Sequence, residues 1–138
     1  MTDLGTFDGE STGAVDINNN GLVLVTTVAH STGMGTAFTW DGTVARKLFD
    51  PPFGMNAFAR AMNDRGDVIG QMTSNKGLSG WVFSDGKLTI LDEIPEVVAA
   101  GFRELNPSRI NDRGWIVGAA KNARGAYRGF LLIKRMLK

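Results

Sequence analysis

The stretch AVDINNNGLVLV, residues 14–25, is the most informative part of the sequence, because the chain contains it in three versions. Its counterparts are ARAMNDRGDVIG at residues 59–70 and PSRINDRGWIVG at residues 107–118. All three share an apolar residue, an asparagine, two polar residues, a glycine, one variable residue and an apolar pair. The shared glycines are 45 and 48 residues apart, and a period of this length is typical of a repeated supersecondary unit.

A second block, with an aromatic centre, follows each stretch: TAFTWDG at 36–42, SGWVFSDG at 79–86 and RGFLLI at 128–133. Its first aromatic residues, Phe38, Trp81 and Phe130, follow the shared glycine by 17, 15 and 16 residues. Two blocks in the same order predict a single domain. We expect it to cover residues 1–138, with repeats at about 10–50, 54–93 and 101–138.

Each repeat predicts a meander of four short antiparallel strands. The first strand ends at Ile17, Met62 or Ile110. The asparagine that follows can bond the backbone downstream of it, and the glycine can take the positive φ that closes a tight turn. With 18 glycines in 138 residues, the composition also favours many tight turns, and we expect an all-β fold.

The aromatic block predicts the third strand and the turn after it. Phe38 and Trp40 are two positions apart and therefore point to one face of the sheet. The pairs Asp41-Gly42 and Asp85-Gly86 are typical of two-residue hairpin turns, which would lead into a fourth strand. The third repeat has no such pair after Ile133, so its fourth strand is missing from the pattern.

An unpaired piece of the pattern stands at the beginning of the chain. The segment LGTF at residues 4–7 occupies, ahead of the first repeat, the position that Leu48 and Leu91 hold ahead of the second and third. We therefore expect residues 1–9 to form a displaced closing strand of the third repeat, in this chain or in a neighbouring copy. Such pairing would remove an exposed sheet edge.

These motifs resemble the HAF repeat, a bacterial repeat that is expected to be extracellular. The run LGTFDGESTGAVDINNNGLVLV at residues 4–25 is similar to the family pattern LGTLGG…S.A..IN..G.VVG, and AFTW at residues 37–40 to its AF.W block. The second and third repeats depart from it, with Gly80-Trp81 and Gly129-Phe130 in place of Ala-Phe. The resemblance implies β-propeller-like blades and brings no catalytic residues.

The number of repeats leaves two architectures open. A period of 45–48 residues with four strands suits a β-propeller blade, but three blades would leave an apolar face exposed at each end. We expect a homodimer to complete six blades. The alternative is a closed monomer with pseudo-threefold symmetry, a β-trefoil or a β-prism, which are folds that lectins often use.

Charge is divided unevenly along the chain. Residues 1–45 have a net charge of −5, residues 46–100 of −1 and residues 101–138 of +7, within a total of +1. In a two-fold ring the third repeat of one copy would meet the first repeat of the other, basic against acidic. This distribution favours the homodimer.

The composition also excludes several kinds of site. The chain has no cysteine, which rules out disulfides and thiol nucleophiles, and its one histidine, His30, leaves little for acid–base chemistry. Residues 16–21, DINNNG, match the start of a calcium loop, but Thr27 stands where the loop requires a glutamate, so we expect a hairpin turn there. We predict no cofactor, no metal and no membrane partner. The near-neutral charge argues against nucleic acid as a partner.

The candidate binding surface combines aromatic and basic side chains of the third repeat. Its members are close in sequence: Arg113, Trp115, Lys121, Arg124, Tyr127 and Arg128. Cationic groups beside aromatic rings suit a partner chain, an anionic sugar or a nucleic acid strand, and we favour the partner chain. The variable loops at residues 71–79 and 119–127 are the expected ligand surface.

The predicted function is a non-catalytic interaction or ligand-binding module that self-associates, with a carbohydrate or another protein as the possible ligand. One alternative is a lectin-like monomer that binds saccharides. Another is a small glycoside hydrolase that uses the carboxylates of Asp92, Glu93 and Glu96. The beginning of the chain lacks the basic and apolar regions of a secretory signal, which predicts the cytoplasm, whereas the family resemblance implies an extracellular protein.

Overall fold

The computed structural model describes residues 1–7, 11–29, 32–51, 56–74 and 77–137, which form three antiparallel sheets. Sheet 1 contains β1 (Ser11–Ile17), β2 (Val23–Ala29), β3 (Met34–Trp40) and β4 (Ala45–Lys47). Sheet 2 contains β5 (Asn56–Met62), β6 (Val68–Ser74), β7 (Gly77–Ser84) and β8 (Lys87–Ile90). Sheet 3 contains β9 (Arg103–Ile110), β10 (Ile116–Lys121) and β11 (Tyr127–Leu132).

The expectation of an all-β chain made of repeated units is confirmed. Each predicted repeat contains one sheet, and the strands follow one another across the sheet in the order of the sequence. Sheets 1 and 2 have four strands, as expected. Within the described residues sheet 3 has three, and a 3₁₀ turn at Lys134–Leu137 follows β11.

The shared asparagine and glycine form the turn between the first two strands of every sheet. In sheet 1, Asn18 Oδ1 accepts hydrogen bonds from the backbone N–H groups of Asn20 and Leu22, both at 3.0 Å. Gly21 closes the turn with a φ of 79°. The turns after β5 and β9 repeat this geometry, with φ values of 84° at Gly66 and 79° at Gly114.

The two aspartate–glycine pairs form turns of different length. Asp85 and Gly86 both have positive φ, at 53° and 75°, and make the expected two-residue turn between β7 and β8. The two-residue turn expected at Asp41-Gly42 is wrong, because residues 41–44 form a four-residue turn. Its cause is the Asp41 carboxylate, which accepts the N–H groups of Thr43 at 2.9 Å and Val44 at 2.7 Å.

Two hydrophobic clusters hold the sheets together, and sheet 2 contributes one face to each. The first cluster joins sheets 1 and 2 through Leu24, Ala37, Ala57, Ala59, Met62, Val68, Met72 and Trp81. The second joins sheet 2 to sheet 3 through Ala61, Ile69, Val82, Leu91, Ile94, Val97, Leu105, Ile116, Ala120 and Leu132. The sheets therefore stack in a row, with sheet 2 in the middle.

This row differs from a closed threefold monomer. The described strands form no closed barrel, so the β-trefoil alternative is wrong. In a β-prism every sheet has one face toward a common core. Here Val68 and Ile69, adjacent residues of β6, are both fully buried and belong to different clusters. Both faces of sheet 2 are therefore covered, which is not the β-prism arrangement.

The connection from sheet 2 to sheet 3 contains a 3₁₀ turn at Leu91–Glu93 and a short helix, α1 (Pro95–Ala99). Pro95 begins the helix, a position where its missing N–H has no cost. Leu91, Ile94 and Val97 are buried in the second cluster. The connection therefore covers the outer edge of the space between sheets 2 and 3.

The predicted closing strand at residues 1–9 does not pair with β11 of its own chain within the described residues, and residues 8 and 9 lie outside them. The beginning of the chain lies against sheet 1. The Phe7 ring packs on Phe38 with centroids 5.9 Å apart, and Thr12 Oγ1 donates to the Gly5 carbonyl at 3.0 Å. Pairing with a neighbouring copy stays a prediction.

Candidate interaction surfaces at the two ends of the row of sheets

Hydrogen bonds link the three asparagine turns into a ladder that runs across the sheets. The Asn18 side-chain amide donates to the carbonyl of Asn63 at 3.2 Å, and the Asn63 amide donates to the carbonyl of Asn111 at 2.8 Å. A second set of hydrogen bonds involves the residue directly after each turn asparagine. The N–H of Asn19 donates to Asp64 Oδ1, and the N–H of Asp64 donates to Asp112 Oδ1, both at 2.8 Å. We call these four bonds the asparagine ladder.

The asparagine ladder also stabilises the charge of an exposed carboxylate. Asp64 accepts the backbone N–H of Asn19 and, through Oδ2, its side-chain amide at 2.8 Å. These two bonds hold the pKa of Asp64 below its ordinary value. The asparagine ladder therefore favours the ionised form of Asp64.

Each end of the asparagine ladder has hydrogen-bonding groups that could bond to one further sheet. At sheet 3, the described residues provide no acceptor for the Asn111 side-chain amide or for the N–H of Asp112. Among the described residues, the Asn18 carbonyl at sheet 1 accepts only the N–H of Gly21, whereas the Asn63 carbonyl accepts both a turn N–H and the amide of the preceding turn. The open donors at one end thus match the open acceptors at the other.

The outer face of sheet 3 exposes apolar side chains whose counterparts are buried in the other sheets. Val117 of β10 is 43% exposed, while Leu24 and Ile69, also third after the turn glycine, are fully buried. Leu131 of β11 is 52% exposed, while its counterpart Val82 is 3% exposed. In sheets 1 and 2 these positions pack against the following sheet. Sheet 3 therefore exposes the face that, in sheets 1 and 2, packs against the following sheet.

The first strand of sheet 1 presents the opposite side of the same contact. Ala57 and Ala59 of β5 are buried against sheet 1, and Leu105 of β9 is buried against sheet 2. Their counterparts in β1, Thr12 and Ala14, are exposed. We call the two surfaces the outer face of sheet 3 and the outer face of sheet 1.

The six residues predicted as a binding patch occupy two separate places on sheet 3. Arg113 and Trp115 belong to the turn before β10, and the Arg113 guanidinium lies 5.4 Å from the centre of the Trp115 ring. The other four, Lys121, Arg124, Tyr127 and Arg128, lie around the turn between β10 and β11. Because β10 is extended, roughly 20 Å separates the two groups.

The second group is built around Lys121 and Tyr127, which pair across β10 and β11. Lys121 Nζ lies 5.5 Å from the centre of the Tyr127 ring and 2.7 Å from Glu104 Oε2. The bond to Glu104 raises the pKa of Lys121. Tyr127 is 55% exposed, so this group extends the apolar outer face of sheet 3 with a cation and an aromatic ring.

Arg124 lies in a fourth turn of the asparagine type, which sequence reasoning missed. Asn122 Oδ1 accepts the N–H groups of Arg124 and Ala126, both at 3.0 Å, and Gly125 has a φ of 81°. The signal was the Asn-x-x-Gly spacing at residues 122–125, which matches the three repeated turns. The connection is shorter than the ligand loop expected at 119–127, because residues 119–121 belong to β10 and Tyr127 to β11, which leaves this turn at 122–126. In the other expected loop, 71–79, residues 75 and 76 lie outside the described part of the chain.

Of the three carboxylates considered for a glycoside hydrolase, Asp92, Glu93 and Glu96, one has a clear structural role. Asp92 Oδ1 accepts the N–H of Gly80 at 2.8 Å and Oδ2 accepts the N–H of Leu105 at 3.3 Å, so Asp92 joins β7 to β9. Burial raises the pKa of Asp92, against the opposing effect of these bonds. Glu93 and Glu96 are exposed.

The calcium-like segment at residues 16–21 forms the hairpin turn that we expected. Asp16 Oδ2 accepts the N–H of Met62 at 3.0 Å, and the Asn20 side-chain amide donates to the Asp64 carbonyl at 2.8 Å. The described residues contain no group of three or more histidine or acidic side chains suited to a metal ion. None of the helices in the described ranges is long and apolar enough to span a membrane. His30 lies outside these ranges.

Comparisons of the chain with protein-family models, with curated proteins and with solved structures find no match. The resemblance to the HAF repeat therefore stays a prediction that depends on the repeated motifs alone.

Proposed function

We propose that this chain is a non-catalytic interaction module that associates end to end with a second copy, so that two rows of three sheets close into a six-bladed, propeller-like ring. The observation that carries the proposal is the exposure of Val117 and Leu131, whose counterparts in sheets 1 and 2 are buried against a following sheet. Val117 and Leu131 are register partners on β10 and β11, so their exposed side chains are neighbours on one face, which suits an interaction surface. The outer face of sheet 1 in a second copy has the geometry of that following sheet.

The asparagine ladder supports the same partner. In the proposed contact, Asn111 of one copy donates its side-chain amide to the Asn18 carbonyl of the other. The N–H of Asp112 donates in the same way to Asn19 Oδ1. Both bonds repeat interactions that already join sheet 1 to sheet 2 and sheet 2 to sheet 3. Asn19 supplies an amide oxygen where Asp64 and Asp112 supply carboxylate oxygens.

Charge supports the pairing of unlike ends over like ends. Residues 101–138 have a net charge of +7 and residues 1–45 of −5. Two outer faces of sheet 3 would repel each other, while an outer face of sheet 3 and an outer face of sheet 1 attract. A two-fold ring contains this heterologous contact twice and leaves no end exposed.

The proposal is tested by placing a charge on the outer face of sheet 3. Val117→Glu introduces a carboxylate where the contact requires an apolar side chain, and Val117 is exposed enough that the separate chain should fold normally. We expect the dissociation constant from sedimentation equilibrium to rise about tenfold or more. Val98→Glu, on an exposed position of α1 that lies on neither outer face, is the matched control. An unchanged dissociation constant for Val117→Glu would contradict the proposed contact.

A further inference from the structure

Strand β11 has an open edge where the other sheets have a fourth strand. β4 pairs with β3, and β8 pairs with β7, whereas β11 has only β10 beside it within the described residues. A groove of about 190 Å³ lies along β11 beside α1, and its walls include Val97, Phe102, Phe130 and Leu132. In sheet 2 the corresponding side chains, Trp81 and Phe83, are packed with Leu88 and Ile90 of β8. Sheet 3 thus lacks the side chains that a fourth strand would supply.

The beginning of the chain lies where the end of such a strand would be. After β4, Phe49 packs on Trp81 of the following sheet, with ring centroids 4.9 Å apart. Phe7 contacts Phe38, the counterpart of Trp81 in sheet 1, with ring centroids 5.9 Å apart and the rings tilted by 34°. Residues 4–7 and the segment after β4 therefore each place a phenylalanine against the same position of a sheet, although Phe49 follows Leu48 directly and Phe7 follows Leu4 by three residues. The sheet to which they would belong precedes sheet 1, and in the proposed ring it is sheet 3 of the second copy.

The two complete sheets give the same register for the missing strand. Phe38, Thr39 and Trp40 pair with Lys47, Arg46 and Ala45, the three residues before Leu48. Trp81, Val82 and Phe83 pair with Ile90, Thr89 and Leu88, the three residues before Leu91. With Leu4 in the position of Leu48 and Leu91, the partners are Phe130 with Asp3, Leu131 with Thr2 and Leu132 with Met1. Three residues suffice, because β4 is itself three residues long.

The contacts of the residue after the strand are also available. The N–H of Leu48 donates to the Ala37 carbonyl at 3.0 Å, and Leu91 Cδ1 lies 3.2 Å from where a β-carbon on Gly80 would stand. Gly129 is the counterpart of Ala37 and Gly80. The nearest atom to its β-carbon position is the Gly118 carbonyl oxygen, at 3.9 Å. The site of a leucine side chain over Gly129 is therefore open.

We infer that residues 1–4 of one copy add as the fourth strand to β11 of a second copy, with Met1 beside the apolar groove and Leu4 over Gly129. This inference rests on the proposed ring and names the segment that seals each of its two contacts. Adding the strand removes the open edge of β11, which would otherwise pair with unrelated chains.

Cross-linking between two singly substituted chains tests the register, and the absence of native cysteine makes the result unambiguous. Thr2→Cys chains are mixed with Leu131→Cys chains and oxidised with diamide. Thr6→Cys mixed with Leu131→Cys is the control, because Thr6 lies four residues, roughly 13 Å, further along the strand direction. We expect a mixed dimer of the Thr2 pair, identified by peptide mass, and none from the Thr6 pair. Circular dichroism confirms that each variant is folded.

The outcomes separate this inference from the proposed function. If the chains sediment as dimers but the Thr2 pair cross-links no more than the Thr6 pair, strand addition is overturned and the ring stands. If the chains sediment as monomers, both fail. Cross-linking of the Thr2 pair well above that of the Thr6 pair, in chains that sediment as dimers, supports both.

Discussion

At the scale of single residues, the glycines inside strands differ in the space around them. Some are in close contact with neighbouring atoms, and others face open space. Gly70 of β6 lies under the Trp81 ring, so a β-carbon on Gly70 would stand 2.1 Å from the Phe58 carbonyl oxygen and 2.4 Å from the ring. Trp81 is fully buried, and its position depends on this missing side chain. This contact joins the end of the stretch at residues 59–70 to the aromatic block at residues 79–86 that follows it in sequence.

We therefore expect Gly70→Ala to lower the free energy of unfolding by about 1–3 kcal/mol, because backbone and a buried ring must shift. Gly13→Ala is the control, since Gly13 lies in β1 with nothing within 4 Å of its β-carbon position. Its effect should stay within about 0.5 kcal/mol. Urea denaturation measures both. Equal losses would show that Gly70 is not closely packed.

Single residues also show where the sequence was insufficient. The ends of the first strands at Ile17, Met62 and Ile110 were predicted correctly, because an asparagine and a glycine fix that turn locally. The length of the turn at Asp41 was not, because one carboxylate that accepts two backbone N–H groups can favour a longer turn over the two-residue form.

At the scale of elements, the asparagine turn has two functions that the structure allows to be separated. Asn63 and Asn122 make the same two bonds to backbone N–H groups within their own turns. Asn63 is buried and also donates to Asp67 Oδ2 and to the Asn111 carbonyl, both at 2.8 Å. No corresponding bond from Asn122 to another sheet is present among the described residues.

Substitution of the two asparagines by alanine isolates the contribution of the asparagine ladder. We expect Asn63→Ala to lower the free energy of unfolding by about 1–3 kcal/mol more than Asn122→Ala, because it leaves buried polar groups without partners. Thermal unfolding of the two variants checks this difference. If Asn122→Ala were equally costly, the turn alone would explain the effect and the ladder between sheets would contribute little.

The asparagine ladder could not be predicted from the sequence, although its residues were in view. Asp64 and Asp112 follow the turn asparagine in two repeats, and Asn19 stands at that place in the first. Their partners are 45 and 48 residues away, so the bonds exist only once the sheets have stacked. For a related reason the predicted patch divides in two, because residues close in sequence move apart along an extended strand such as β10.

At the scale of the whole molecule, the row of three sheets has a polarity. One end is the outer face of sheet 1, in the acidic part of the chain, and the other is the outer face of sheet 3, in the basic part, and each is one half of the contact that joins the sheets inside the chain. The number of repeats and the division of charge were read from the sequence. The stacking in a row, and the exposure of Val117 and Leu131, required the structure.

Salt separates the electrostatic and apolar parts of the proposed contact. Raising the salt concentration from 0.1 M to 1 M shortens the screening length from about 10 Å to about 3 Å. If charge complementarity contributes as we propose, the dissociation constant of the dimer should rise over this range, as measured by sedimentation equilibrium. A dissociation constant that does not change with salt would assign the contact to apolar burial alone.

The mass of the protein in solution, measured by light scattering on a sizing column, shows whether two copies associate as the proposed ring requires. We expect a mass near twice 14.8 kDa, because two rows of three sheets are needed to cover both outer faces. A mass of 14.8 kDa across the micromolar range would contradict it. The outer face of sheet 3 would then be free in solution as a binding surface for a different partner.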